Sequence, residues 1–273
     1  MEFLIILIAG WGAGVVTGLV GASAVVIVTP ILITFLGYNP YTAIGISLAT
    51  DVIASSISAM TYKKHGNIDL KNGMSIALTT VIAAIVGSYF SEGVNPNALG
   101  GLSGLMIIFM GVSFTKKTLN EQIESFKEKI DLSFFTERKI LSSILAGTYI
   151  GLFSGFLGAG GGIMILVILT FILEYKIHMA IGTSVLIMTF TAFSGAAGHF
   201  FFEQAIPYWE LAISSAGAFI GAYLAAHYAN IISEKKLSKA IGVVFIILGG
   251  ITTYNNLSLN NFLINLIEKL PPL

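Results

Sequence analysis

The sequence predicts an all-α integral membrane protein: a polytopic helical bundle of two inverted repeats, each holding re-entrant or broken half-helices. Three observations carry this reading, namely the composition, the spacing of the charges and an internal duplication. Of 273 residues, 55% are hydrophobic and 10% charged, whereas roughly a quarter of a soluble domain is charged. The charges gather in clusters between apolar stretches of about 15 to 23 residues, near the ~20 that cross a ~30 Å hydrocarbon core. A formal net charge of zero offers nucleic acid no electrostatic footing. The absence of cysteine removes disulfides, thiolate metal sites and any relay of substrate between thiols. Met1 to Ile8 is apolar without the basic flank of a signal peptide, so it reads as the start of the first membrane helix.

The duplication is explicit. Gly10, Gly14, Gly18 and Gly21 recur 137 positions later as Gly147, Gly151, Gly155 and Gly158. The same offset pairs Ala22 with Ala159, Tyr38 with Tyr175, Ala43-Ile44-Gly45 with Ala180-Ile181-Gly182, and Ser47 with Ser184. From Ala9 to Ser47, 14 of 39 positions are identical, where this composition gives roughly one in ten by chance. Farther on, Gly87-Ser88-Tyr89 answers Gly221-Ala222-Tyr223, and Gly104 and Gly111 answer Gly242 and Gly249.

Five apolar segments follow in each copy: 3–20, 24–37, 40–62, 70–90 and 97–115, then 139–157, 161–174, 177–202, 208–230 and 237–254. Segments 24–37 and 161–174 extend only about 21 Å at 1.5 Å per residue, short of a full crossing. They read as half-helices, each forming with the helix before it either a re-entrant hairpin or a pair of spans. Both options add an even number of crossings, so each copy crosses an odd number of times and the second is inverted. The basic loops agree with the positive-inside rule. Lys63, Lys64 and Lys71, the central cluster Lys116, Lys117, Lys127, Lys129, Arg138 and Lys139, and Lys235, Lys236 and Lys239 all fall on one side, taken as cytoplasmic. The Glu92 and Glu203 loops and both termini fall on the other. The expectation is a multi-pass protein of the cell membrane with its termini outside.

The chain divides into a first membrane repeat at 1–115, a cytoplasmic amphipathic linker at 116–138, a second membrane repeat at 139–254 and an amphipathic tail at 255–273. In the linker, Leu119, Ile123, Phe126 and Ile130 recur at helical spacing among charges. They mark a helix lying on the inner interface or a soluble linker helix. Phe262, Leu263, Leu266 and Ile267 mark a second surface helix.

Glycines spaced by four along one helical face let another backbone approach closely. The breaks Gly21-Ala22-Ser23 and Gly158-Ala159-Gly160-Gly161-Gly162 stand where each half-helix begins. Irregular backbone at membrane depth survives only when buried in protein or lining a wet cavity. A half-helix starting there aims N–H groups and a positive dipole end at an anion, as in transporters built from inverted repeats; a tight turn would use the same glycines. The substrate-binding candidates are therefore Gly21, Ala22, Ser23, Ser47, Gly158, Ala159, Gly160, Gly161, Gly162, Thr183 and Ser184. No Lys or Arg lies deeper than the first turn of a predicted span to assist them.

Asp51 is the one acidic residue well inside a predicted span, with Ser47, Ser55 and Ser58 on its helical face. A charge at that depth costs at least ~2.5 kcal/mol, so it has to be protonated, paired or wetted. It reads as a site for a coupling proton or Na⁺, or as a structural residue bonded to its serines. Met188 stands at the matching position of the second copy. His199, with Glu203 one turn on, reads as a relay or gate or as an ordinary hydrogen-bonding histidine. The ion-coupling candidates are Asp51, Ser55 and His199. Neither a cofactor, a metal nor a catalytic residue is expected, because no pair of histidines has ligand spacing.

Three function classes compete. A secondary transporter of a small anion fits the repeat and its breaks. A passive anion channel differs in that its flux neither saturates nor runs uphill. An intramembrane hydrolase would use Gly21-Ala22-Ser23-Ala24 with His199, but the final glycine of such a motif is missing and the repeat places Gly160, not serine, opposite Ser23.

The motifs resemble the TauE/SafE sulfite exporter group of membrane permeases. The likeness lies in Gly18-Leu19-Val20-Gly21-Ala22-Ser23 with Pro30 following, in Ala43-Ile44-Gly45-Ile46-Ser47, and in His65-Gly66-Asn67-Ile68-Asp69. The second copy matches more fully, with Gly155-Phe156-Leu157-Gly158-Ala159-Gly160-Gly161-Gly162 and Ala180-Ile181-Gly182-Thr183-Ser184. The resemblance implies export of sulfite or small organosulfonates driven by an ion gradient. Ser23, Ala24 and Val25 replace the glycine run in the first copy, which favours the second break as the anion site.

Overall fold

The computed structural model describes residues 2–38, 40–91, 105, 107–109, 111–115, 139–157, 161–202 and 207–257. Its elements are α1 (Glu2–Val20), α2 (Val25–Leu36), α3 (Pro40–Lys64), α4 (Leu70–Ser91), α5 (Lys139–Leu157), α6 (Gly161–Phe171), α7 (Ile177–Phe202), α8 (Tyr208–Ile231) and α9 (Glu234–Leu257). These helices begin and end within three residues of the apolar segments read from the sequence. The described residues between 105 and 115 are also helical. The linker 116–138 and the tail beyond 257 lie outside the described residues.

Polar side chains of the central helix are buried beside an apolar core, and many large apolar side chains face outward. Ser47, Thr50, Asp51, Ser55 and Ser58 of α3 are buried, while Phe3, Leu4, Ile8 and Trp11 of α1 and Tyr223, Leu224 and Tyr228 of α8 face outward. Lipid is the solvent that makes such a surface stable. Glu2–Val20, Thr42–Lys64, Ile177–Ala197 and Tyr208–Ile231 are long and apolar enough to cross a membrane.

The glycine stripe sets the tightest packing. A Cβ on Gly10 would fall 2.8 Å from the Ser214 carbonyl carbon, one on Gly14 would fall 2.8 Å from the Ala222 nitrogen, and one on Gly18 would fall 2.6 Å from the Ala222 carbonyl oxygen. Gly217 and Gly221 of α8 return the contact against Leu7 and Trp11. So α1 runs parallel to α8 with backbones touching. The second copy repeats the arrangement: Gly147 and Gly151 of α5 lie against Ile76, Thr79, Thr80 and Ala83 of α4. The first helix of each copy is thus packed on the fourth helix of the other.

Hairpins connect these pairs to the centre. α1 ends where Gly21 takes φ 69, a left-handed conformation that glycine adopts without strain. Thr17 secures the turn by donating its hydroxyl to the Ala22 carbonyl at 2.8 Å. α2 then runs back: Tyr38 donates to Glu210 in the first turn of α8, the helix alongside which α1 runs, and Thr29 donates to Ser47 at 2.8 Å. The first half-helix therefore returns to the end from which α1 starts, as either a re-entrant hairpin or a pair of spans would. α6 likewise returns to the end where α5 and α4 begin, since Tyr175 meets Asp69 there. α3 and α7, the matching third helices, lie antiparallel, with Leu48 beside Gly195, Ser55 beside Thr189 and Tyr62 beside Gly182. The molecule has a Glu2 end, where α1, α3 and α8 begin, and a Lys64 end, where α4, α5 and α7 begin.

Candidate functional site

The first break meets the start of α6 inside the bundle. A Cβ on Gly162, in the first turn of α6, would fall 2.9 Å from the Gly21 carbonyl oxygen and 3.0 Å from the Ser23 nitrogen. Gly21 in turn lies against Ser184 of α7, whose Oγ would be 2.5 Å from its Cβ. Tyr62 steadies the first break from below, donating its hydroxyl to the Gly18 carbonyl at 3.2 Å. The start of α6, Ser184 of α7 and the first break are thus brought into one small region.

Asp51 occupies the N-terminal end of α2. Its Oδ1 accepts the Ala24 N–H at 3.0 Å and its Oδ2 accepts the Ser23 hydroxyl at 2.5 Å. The carboxylate therefore caps a half-helix from a neighbouring helix and takes the donors that the first break would offer a substrate anion. The serines on its own helix do not bind it. Ser47, Ser55 and Ser58 donate to the carbonyls of Ala43, Asp51 and Ala54, as hydroxyls in a helix do when a carbonyl one turn back is within reach. Ser55 also accepts from Thr189 of α7 at 3.2 Å, linking the two central helices.

At the second break the corresponding place is filled differently. Met188, not a carboxylate, stands at Gly162, with its Sδ 2.5 Å from where a Cβ would be. Thr183 accepts the Asp69 N–H at 3.1 Å, and Ser184 donates to the Ile181 carbonyl at 2.8 Å. Gly158, Ala159 and Gly160 lie outside the described residues, as does the side chain of His199. Among the described residues, no group of three His, Asp or Glu could hold a metal ion. The sequence reading missed the partner of Asp51, although Ser23 was among its candidates.

Gly21 is the position where substitution tests this geometry most directly. Gly21→Ala would place a side chain in a left-handed backbone, which costs about 1–2 kcal/mol, and against Ser184. A melting temperature several degrees lower than that of the parent is expected in detergent, whereas an unchanged value would contradict the turn described.

Residues 6–251 match the family described as Sulfite exporter TauE/SafE. The chain is 23% identical over 264 residues to YunE of Bacillus subtilis, named a "probable membrane transporter protein", covering 91% of this chain and 96% of that one. It is 24% identical to YdhB of the same organism over 238 residues, covering 87% and 95%. It is 29% identical to MJ0441 of Methanocaldococcus jannaschii over 208 residues, covering 71% and 72%; both relatives carry the same name. No solved structure matches the chain. The family is one of transporters and not of enzymes, which removes the hydrolase reading of Ser23. With large apolar side chains facing outward, helices long and apolar enough to cross a membrane and a family match over nearly its whole length, the chain belongs to the sulfite exporter TauE/SafE family and is a multi-pass membrane transporter.

Proposed function

We propose that this transporter exports a small sulfur oxyanion, sulfite or an organosulfonate, held at the second break and coupled to a proton or Na⁺ through Asp51. The observation that carries the reading is the asymmetry between the two breaks. The first has its helix N-terminus filled by the protein's own carboxylate, while the second has Met188 in place of an acid. A half-helix end that no carboxylate caps among the described residues is the natural place for an external anion. In this reading Gly158 to Gly162 supply backbone N–H groups and Ser184 supplies a hydroxyl, while Thr183 faces Asp69 and Gly73 toward the Lys64 end. Gly21, Ala22, Ser23 and Ser47 form the opposing wall. Binding by dipoles without Lys or Arg gives modest affinity, which suits a carrier that has to release its cargo.

The two copies would lie in the cell membrane with opposite sense, the Lys64 end in the cytoplasm and the Glu2 end outside. The antiparallel course of α3 and α7 and the basic loops of the sequence support this. His199 keeps its candidacy as a relay in the same scheme.

The test is thermal stabilisation of the purified protein across sulfite, sulfate, thiosulfate, sulfoacetate, taurine, acetate and phosphate. A ligand present at a hundred times its Kd stabilises by about 2.7 kcal/mol, enough to raise the melting temperature by several degrees. A rise selective for sulfur oxyanions or sulfonates is expected. Equal shifts with acetate and phosphate, or none at millimolar concentration, would sink the substrate assignment.

A further inference from the structure

Each end of the bundle is tied by a tyrosine of one copy to a carboxylate of the other. At the Glu2 end, Tyr38 donates its hydroxyl to Glu210 Oε1 at 2.9 Å. At the Lys64 end, Tyr175 donates to Asp69 Oδ2 at 2.8 Å. The tyrosines are a pair related by the 137-residue offset. Each leaves its half-helix through the same turn, the Tyr38 N–H bonding the Leu32 carbonyl at 3.1 Å and the Tyr175 N–H bonding the Leu169 carbonyl at 2.9 Å.

The acceptors correspond as well. Glu210 lies in the first turn of α8, and Asp69 precedes α4 and accepts the Asn72 N–H at 3.0 Å. Both carboxylates therefore sit at the positive end of a helix dipole. Burial first, and then the adjacent carboxylate, pushes the Tyr38 phenol up to about 12 and the Tyr175 phenol up as well, so both stay protonated donors at neutral pH. In the turn before Tyr175 a non-glycine residue, Glu174, holds φ 56 where Gly37 holds φ 67 in the first copy. Strain of that kind persists only where surrounding contacts over-determine it.

We propose that Tyr38–Glu210 and Tyr175–Asp69 are the two gates of the transporter, each closing one end of the path to the breaks, and that the structure with both formed is the occluded state. The inference rests on the transporter reading given above and adds the parts that move. Each half-helix hairpin carries a break at its tip and a tyrosine at its base. Exposing the break to one face requires the half-helix arm of that hairpin, with its tyrosine, to part from the fourth helix of the other copy, while the first helix stays packed there. Because the two copies repeat the same latch at opposite ends, releasing one while keeping the other gives access to one face at a time.

The test uses the absence of cysteine. Ser184→Cys places a single thiol beside Gly21, and the full chain is reconstituted in vesicles of defined orientation. A membrane-impermeant thiol reagent is then applied from one face or the other. Tyr38→Phe is expected to raise the labelling rate from the Glu2 face roughly tenfold, the shift that one hydrogen bond to a charged acceptor brings, and to leave the Lys64 face unchanged. Tyr175→Phe is expected to do the reverse. Glu210→Ala and Asp69→Ser, the latter keeping a helix cap while too short to reach Tyr175, repeat the pattern if a phenylalanine variant does not fold. Faster labelling from both faces, or from neither, in folded variants overturns the proposal. Labelling needs no substrate, so a failed anion panel and a failed gate are told apart.

Discussion

Gly14→Val is expected to leave almost no folded protein. A Cβ at position 14 would run into the Ala218 carbonyl oxygen and lie 2.8 Å from the Ala222 nitrogen. Both obstacles are backbone, so no rotamer change can clear them, and α1 would have to separate from α8 over the length of the stripe. Overpacking a well-filled interface costs about 1–3 kcal/mol, occasionally more. A valine against backbone on a helix whose neighbours Gly10 and Gly18 make the same contact belongs at or above about 3 kcal/mol. Size-exclusion chromatography and thermal melting of the detergent-purified variant measure it. Gly12→Ala is the control two residues away, where nothing lies within 4 Å of the added Cβ. There the better helix propensity of alanine stabilises by up to about 1 kcal/mol. If both variants behaved alike, the stripe would not be the interface.

Asp51→Asn is expected to uncouple transport while sparing the fold. Asparagine keeps the size of the side chain and an oxygen for the Ala24 N–H, but it neither titrates nor neutralises a cation. At one-to-one coupling, a tenfold proton or Na⁺ gradient supports about tenfold accumulation of substrate, or about 1.4 kcal/mol. The variant should lose that whole factor and only equilibrate its substrate across the membrane. Proteoliposomes with a proton or a Na⁺ gradient imposed separately, loaded with the anion that the stabilisation panel selects, give the reading. Undiminished accumulation against the gradient would assign Asp51 to capping α2 and nothing more.

The helices were legible because lipid makes the code simple: length and apolarity mark a span, and the duplicated glycines marked the tight faces. What those faces touch was not legible. Gly14 could be read as a contact residue from its spacing, but its partner Ala222 lies more than two hundred residues away, and no local pattern names it. Asp51 shows the same limit. Its helical neighbours Ser47, Ser55 and Ser58 suggested a polar stripe around the carboxylate, yet each hydroxyl has a carbonyl of its own helix within reach and turns to that. The carboxylate instead found the unpaired N–H and hydroxyl at the start of α2, a demand created by the break itself. The recurrence of Tyr38 as Tyr175 was visible, as were acidic residues beside the starts of α4 and α8. Joining them required knowing that each copy lends its first helix to the other.

That exchange of first helices has a consequence for how the protein is made. A ribosome delivers α1 to the bilayer long before α8 exists, and at roughly 5–20 residues per second the interval between them lasts about 10 to 40 seconds. Throughout that time Gly10, Gly14 and Gly18 face lipid or the insertion machinery as an unfilled groove. The amino-terminal half cannot close its own bundle and has to wait for the last third of the chain, so assembly is a late event and a truncated product would be left with an open seam for quality control to recognise.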